Sequence, residues 1–181
     1  IHDEKWHTEN FSWGNSRTRR KNFWTDDIEK EWTQTLEAAR NRLISCFNCP
    51  LKCGATVSMP GLPTYMMKCF TKLTYTMAAY STLEFGLTIA QRATEYGVDG
   101  YSAPQAMAFA LELYENGILT DKDFPGMPAD NEGRFFYLLD KIVRREGIGD
   151  ILANGTYWAA KAIGNGAEAF AHNNIKKQEQ L

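Results

Sequence analysis

Cys46, Cys49 and Cys53 fall within the stretch ISCFNCPLKCGAT, in a chain with one other cysteine, Cys69. Cysteines this close are awkward to bridge to one another, and an odd number in the run does not read as a disulfide framework. The C-x2-C-x3-C spacing suits a loop that turns several thiolates onto one metal centre. Pro50 stiffens that loop and Gly54 frees the backbone after it. A structural zinc site usually takes its ligands in two pairs. No second pair is present, since Cys69 and His172 are single and His2 and His7 stand five apart. Iron–sulfur clusters accept three close thiolates with a distant fourth ligand. Spacing alone favours iron–sulfur and leaves zinc open.

Around this loop the pattern is helical. Ile28, Trp32, Leu36, Ala39 and Leu43 recur at three- and four-residue steps, so a helix is expected from near Asp26 straight into the cysteine loop. Ser81 with Glu84 has capping-box spacing for a helix ending at Gly97. Ser102 with Gln105 repeats it, with Pro104 in the first turn and Gly117 closing that helix. Further helices are expected from about Asn131 to Glu146 and from Asp150 to Ile163. The prolines and glycine of MPGLPTYMMKCF predict extended or turning backbone, and nothing alternates convincingly with period two. The fold class read from this is mainly α: an irregular segment over 1–25 and a helical domain over 26–181.

With 44% hydrophobic and 13% aromatic residues the chain can build a core. A net charge of −2 argues against a nucleic-acid partner, despite the basic run Arg17, Arg19, Arg20 and Lys21. No apolar run approaches the ~20 residues of a membrane span. The polar N-terminus does not read as a signal peptide, and the clustered cysteines point to a reducing, cytoplasmic setting. The start at Ile1 without methionine and the charged end IKKQEQL lead us to expect a piece of a longer chain. Phe85, Leu87, Ile89, Ala90 and Ala93 read as a core stripe. Glu112 reads as a capping or pairing acid, although it and Glu115 could look catalytic, and Tyr157 and Trp158 read as core packing.

The run ARNRLISCFNCPLKCGA, followed by ATEYGVDGYSAPQAMAFALELYENGILT, resembles the tungsten aldehyde ferredoxin oxidoreductase family. By that resemblance Cys46, Cys49 and Cys53 hold a 4Fe-4S cluster whose fourth cysteine comes from a later domain. Thr94, Glu95, Tyr96, Gly97, Val98 and Asp99 stand where the family's D-x-x-G-L-D motif binds a tungsten–bis-pterin cofactor, which makes Thr94, Gly97, Val98 and Asp99 the expected cofactor-binding residues. The stretches HDEKWHTENFSWGNSRTRRKNFWTD, PTYMMKCFTKLTYTMAAYS and GIGDILANGTYWAA resemble one branch, the tungsten subunits of class II benzoyl-coenzyme A reductases. That branch implies reduction of the ring of benzoyl-CoA to a cyclic diene, with electrons supplied by an iron–sulfur partner subunit within a hetero-oligomer. It also implies an apolar pocket at PTYMMKCF that excludes water.

Two departures from the wider family carry information. Thr94 replaces the motif's first aspartate, so the contact there is a neutral hydroxyl or is made elsewhere. Met67, Lys68, Cys69, Phe70 and Thr71 replace a P-E-Y-E-T-like stretch whose glutamate serves aldehyde oxidation. From the residues alone Cys69 is a buried thiol, a cluster ligand or a tungsten ligand; its place in the resemblance makes tungsten the expected role. His7, flanked by aromatics, is the expected proton donor to the ring, whereas His2 sits among charges and His172 lies far from the motifs. The rival readings are an aldehyde oxidoreductase and a non-catalytic metal-bearing interaction module.

Overall fold

The structure, a computed structural model, describes residues 25–67, 75, 78–79 and 81–179. His2, His7, the Arg17–Lys21 run and Cys69 lie outside the described residues.

Helix α1 (Asp26–Ala39) starts where the Thr25 hydroxyl accepts from the Ile28 N–H at 3.3 Å. Its apolar stripe buries Trp32 and Ala39. The helix does not continue to Leu43 as the periodicity predicts, because Arg40 turns extended and opens strand β1 (Arg40–Ile44). Strands β2 (Gly54–Met59) and β3 (Leu62–Met67) complete an antiparallel sheet in the order β1-β2-β3. Gly54 pairs with Ile44, and Met59 pairs with Leu62 around the turn at Pro60 and Gly61. This sheet is absent from the sequence reading for a physical reason: four of the five β1 residues are exposed, so no apolar alternation marks them. The Ser58 hydroxyl, 2.6 Å from both Asn41 Nδ2 and Thr64 Oγ1, joins the three strands on the exposed face.

Helix α2 (Leu83–Glu95) is capped by Thr82, which accepts from the Phe85 N–H, and not by Ser81, whose hydroxyl donates to Glu132. Helix α3 (Ser102–Glu115) is buried continuously from Ala103 to Leu113, which makes it the centre of the molecule. Helix α4 (Asn131–Arg144) is capped by Asp130 and buries Phe135, Leu138, Leu139 and Ile142. The single helix expected from Asp150 to Ile163 is two, α5 (Ile148–Leu152) and α6 (Thr156–Ile163), interrupted at Ala153 to Gly155. Helix α5 meets α4 backbone to backbone: a Cβ on Gly149 would lie 2.2 Å from the Lys141 carbonyl.

Among the described residues two apolar clusters result. The larger joins α2 through α6 and includes Phe85, Ile89, Met107, Phe109, Phe135 and Leu139. The smaller packs Trp32 and Ala39 of α1 with Ala55 and Val57 of β2 against Leu83 and Leu87 of α2. Helix α2 therefore belongs to both, and the stripe read from its sequence is buried throughout. Trp158 departs from its expected core position: half of its surface is exposed, beside the Lys177 ammonium 4.6 Å from its ring.

Candidate metal and cofactor site

The cysteine loop, residues 45–53, is clamped at both ends by the pairing of Ile44 with Gly54. Inside it the Cys49 N–H donates to the Cys46 carbonyl at 3.0 Å, closing one tight turn. Asn48 (φ +57°) precedes Cys49 and Lys52 (φ +47°) precedes Cys53, so the chain reverses direction just before each. Cys46 and Cys53 are exposed, Cys49 is half-buried, and no disulfide joins them. Phe47 and Leu51, between the cysteines, are 97% and 79% exposed. Loop and sheet thus present three soft donors on one short, anchored turn, and this donor set fits an iron–sulfur cluster. The thiols are gathered in one loop without their sulfurs converging: among the described residues no three His, Cys, Asp or Glu side chains stand close enough to hold one metal ion. A hollow of about 370 Å³ lies against the loop, lined by Arg42, Leu43, Ile44, Ser45, Lys52 and Met66.

The second group of expected site residues falls on the turn between α2 and α3. The Gly97 N–H donates to the Thr94 carbonyl (3.0 Å) and the Val98 N–H to the Ala93 carbonyl (2.9 Å). This paired closure needs a left-handed residue at Gly97, whose φ is +70°. Asp99 Oδ2 accepts from the N–H groups of Tyr101 (3.2 Å) and Ser102 (2.6 Å), so Asp99 caps α3 where the sequence pattern assigned a Ser102–Gln105 box. Both of these bonds fall on Oδ2, leaving Oδ1 outside them. The Thr94 hydroxyl donates to the Ala90 carbonyl of its own helix at 2.8 Å. Thr94, Gly97, Val98 and Asp99 are therefore brought together on one tight turn whose exposed edge carries a carboxylate, an arrangement that fits a ligand rich in N–H donors such as a pterin.

Helix α2 connects the two groups. Tyr65 of β3 donates its hydroxyl to the Leu87 carbonyl at 2.8 Å, pinning the sheet to the helix, and burial pushes that phenol well above its ordinary pKa. From Leu87 to the end of α2 is about 12 Å along the axis.

Two buried polar residues escaped the sequence reading. Tyr75 is fully buried, and its phenol is pushed up by burial first and by the Asp99 carboxylate second. Glu179, also buried, accepts from the Thr156 N–H at 2.9 Å and so closes the start of α6. The half-buried Tyr101 phenol is pushed up by burial, then by Glu179, then by Asp99. Neither position carries a local motif; each matters through contacts between distant segments. Glu112 is buried on α3, and its backbone carbonyl accepts from the Asn116 side chain at 2.8 Å. Among the described residues no helix is long and apolar enough to cross a membrane.

Comparison with known proteins bears on both groups. Over its full length the chain is 77% identical to part of a chain in the structure of the active site complex BamBC of benzoyl coenzyme A reductase in complex with 1,5-dienoyl-CoA (TM-score 0.87), covering 28% of that chain. It is 33% identical over 179 residues to the tungsten-containing aldehyde ferredoxin oxidoreductase of Pyrococcus abyssi, spanning 88% of this chain and 28% of the relative. A 71-residue stretch is 48% identical to the WOR-like subunit of an aliphatic sulfonate oxidoreductase from Pyrococcus furiosus, covering 38% of this chain and 11% of that one. The chain thus spans little more than a quarter of the length of its full-span relatives. The family description "Aldehyde ferredoxin oxidoreductase, domains 2 & 3" matches residues 2–180. With both the cysteine loop and the 94–99 turn inside that match, the chain belongs to the aldehyde ferredoxin oxidoreductase family.

Proposed function

We propose that this chain is the middle of the catalytic tungsten subunit of a class II benzoyl-CoA reductase, which reduces the aromatic ring of the thioester to a cyclic diene. The observation that carries the reading is the 77% identity over the whole chain to a protein solved with 1,5-dienoyl-CoA, against 33% to an aldehyde-oxidising relative. A bound tungsten–bis-pterin group would supply low-potential electrons to the ring.

This chain's residues then have separable tasks. Cys46, Cys49 and Cys53 would hold a 4Fe-4S cluster, which would supply one-electron transfer chemistry. Thr94, Gly97, Val98 and Asp99 would seat the pterin, with the Asp99 carboxylate as the acceptor the turn offers. Cys69 would be the residue that holds tungsten, and His7 the one that supplies a proton to the ring. The exposed Phe47 and Leu51 flank the cluster cysteines and support an electron-donating iron–sulfur partner subunit there. Water has to be kept from the site, because it is more easily reduced than an aromatic ring.

A second reading, aldehyde oxidation, is favoured by the names of the Pyrococcus relatives. The full-length protein, assayed with benzoyl-CoA and with simple aldehydes, separates the two. Ring reduction without aldehyde turnover supports the proposal; aldehyde turnover alone overturns it. Stoichiometric zinc without tungsten or iron would return the chain to a metal-bearing interaction module.

A further inference from the structure

The face around the cysteine loop is unlike the rest of the molecule in both charge and polarity. Residues 40–67 contain Arg40, Arg42 and Lys52 and not one aspartate or glutamate, whereas the whole chain has a net charge of −2. All three cations are exposed. Among the described residues the ion pairs, Lys141–Glu146 and Arg145–Asp150, belong to α4, α5 and the turn between them, and neither reaches this face. Apolar side chains gather here as well. Of the seven large ones that stand exposed among the described residues, four are Leu43, Phe47, Leu51 and Met66. Single exposed hydrophobics need no explanation, but a cluster of them marks a contact surface.

The sheet brings these residues together. Arg42 of β1 and Met66 of β3 both stand opposite Thr56 of β2, which puts them on one face of the sheet. The hollow of about 370 Å³ joins them to Leu43 and Lys52. The loop beside that hollow exposes Phe47 and Leu51 between its cysteines. An apolar centre with a cationic edge is the build of a protein–protein interface, in which burial gives affinity and charge steers the approach. A segment folded permanently onto its own chain would gain nothing from unpaired cations, since burying them costs their hydration. A protein with an acidic surface gains from both parts of the face.

We propose that this face binds the electron-donating partner through an acidic rim on that protein, with Arg42 and Lys52 steering it and Phe47 and Leu51 filling its apolar centre. The inference rests on the functional reading above, because it takes the donor from it; it adds the donor's surface chemistry and the residues that meet it. The cations act on the encounter, so their effect falls on the association rate and fades with salt. The apolar pair acts on the bound complex and is insensitive to salt.

The test uses the full-length subunit and its iron–sulfur partner subunit, separated and recombined. Arg42→Glu with Lys52→Glu, the milder Arg42→Gln with Lys52→Gln, and Phe47→Ala are compared with wild type. Association rate and Kd are read from low to high ionic strength, together with iron per chain, thermal midpoint and reduction of the cluster by titanium(III) citrate. The expected result of charge reversal is association roughly tenfold slower at low salt, converging on wild type as salt rises. The neutral pair should slow it about threefold with iron and midpoint intact, and it decides the matter if reversal disturbs the loop. Phe47→Ala should raise Kd roughly tenfold at every ionic strength. Reduction by the small reductant stays as in wild type. Charge variants that associate at the wild-type rate or faster at low salt would overturn the proposal. So would lost iron or a lowered midpoint with association unchanged, which would mean that the subunit's own chain covers this face. A wild-type subunit without iron would instead defeat the functional reading itself.

Discussion

Each loop cysteine owes its position to backbone that changes direction beside it, at the Cys46–Cys49 turn and at the left-handed Asn48 and Lys52. Serine keeps that backbone and removes only the soft donor. Serine at any one of Cys46, Cys49 or Cys53 is therefore expected to lower iron and sulfide together in the full-length subunit, with no zinc appearing; metal analysis reads this directly. Cys69→Ser is expected to leave iron unchanged, empty the tungsten site and abolish ring reduction, whereas loss of iron would identify the missing cluster ligand. For His7→Ala, turnover should fall roughly 10²- to 10⁴-fold with metal content intact, the range for a lost general acid. The cysteines were legible because spacing along the chain is itself the signal. Glu179 was not, because its role arises from segments that meet only after folding. Asp99 was legible as a motif residue, but its capping of α3 through Oδ2 was hidden behind the more familiar Ser102–Gln105 spacing.

Among the elements, helices announced themselves by period and by their stops: Gly97 and Gly117 lie just past α2 and α3, as read. The sheet did not, because β1 is exposed along most of its length and β3 carries a proline. The α5–α6 break was hidden by apolar residues that keep helical spacing across it. Where α5 crosses α4, Gly149→Ala would drive a methyl into the Lys141 backbone. Such overpacking costs roughly 2–3 kcal/mol, and denaturant unfolding of the full-length subunit should show that loss. Tyr65→Phe removes the bond from β3 to the Leu87 carbonyl. A loss of about 1 kcal/mol is expected, with the sheet's amides exchanging faster than those of α3.

At the scale of the molecule, α2 is the member common to both apolar clusters, with the cysteine loop's sheet on one and the 94–99 turn beside the other. This explains how two motifs some forty residues apart are held in a fixed relation. The central claim is that the two motifs serve one tungsten centre that reduces an aromatic ring. The direct measurement is metal and pterin content of the full-length protein, taken together with turnover of benzoyl-CoA by a low-potential donor. The account predicts tungsten, two pterins and cluster iron in each chain, with the thioester reduced to a cyclic diene. Zinc in place of tungsten, or a tungsten protein that oxidises aldehydes and leaves the thioester untouched, would contradict it.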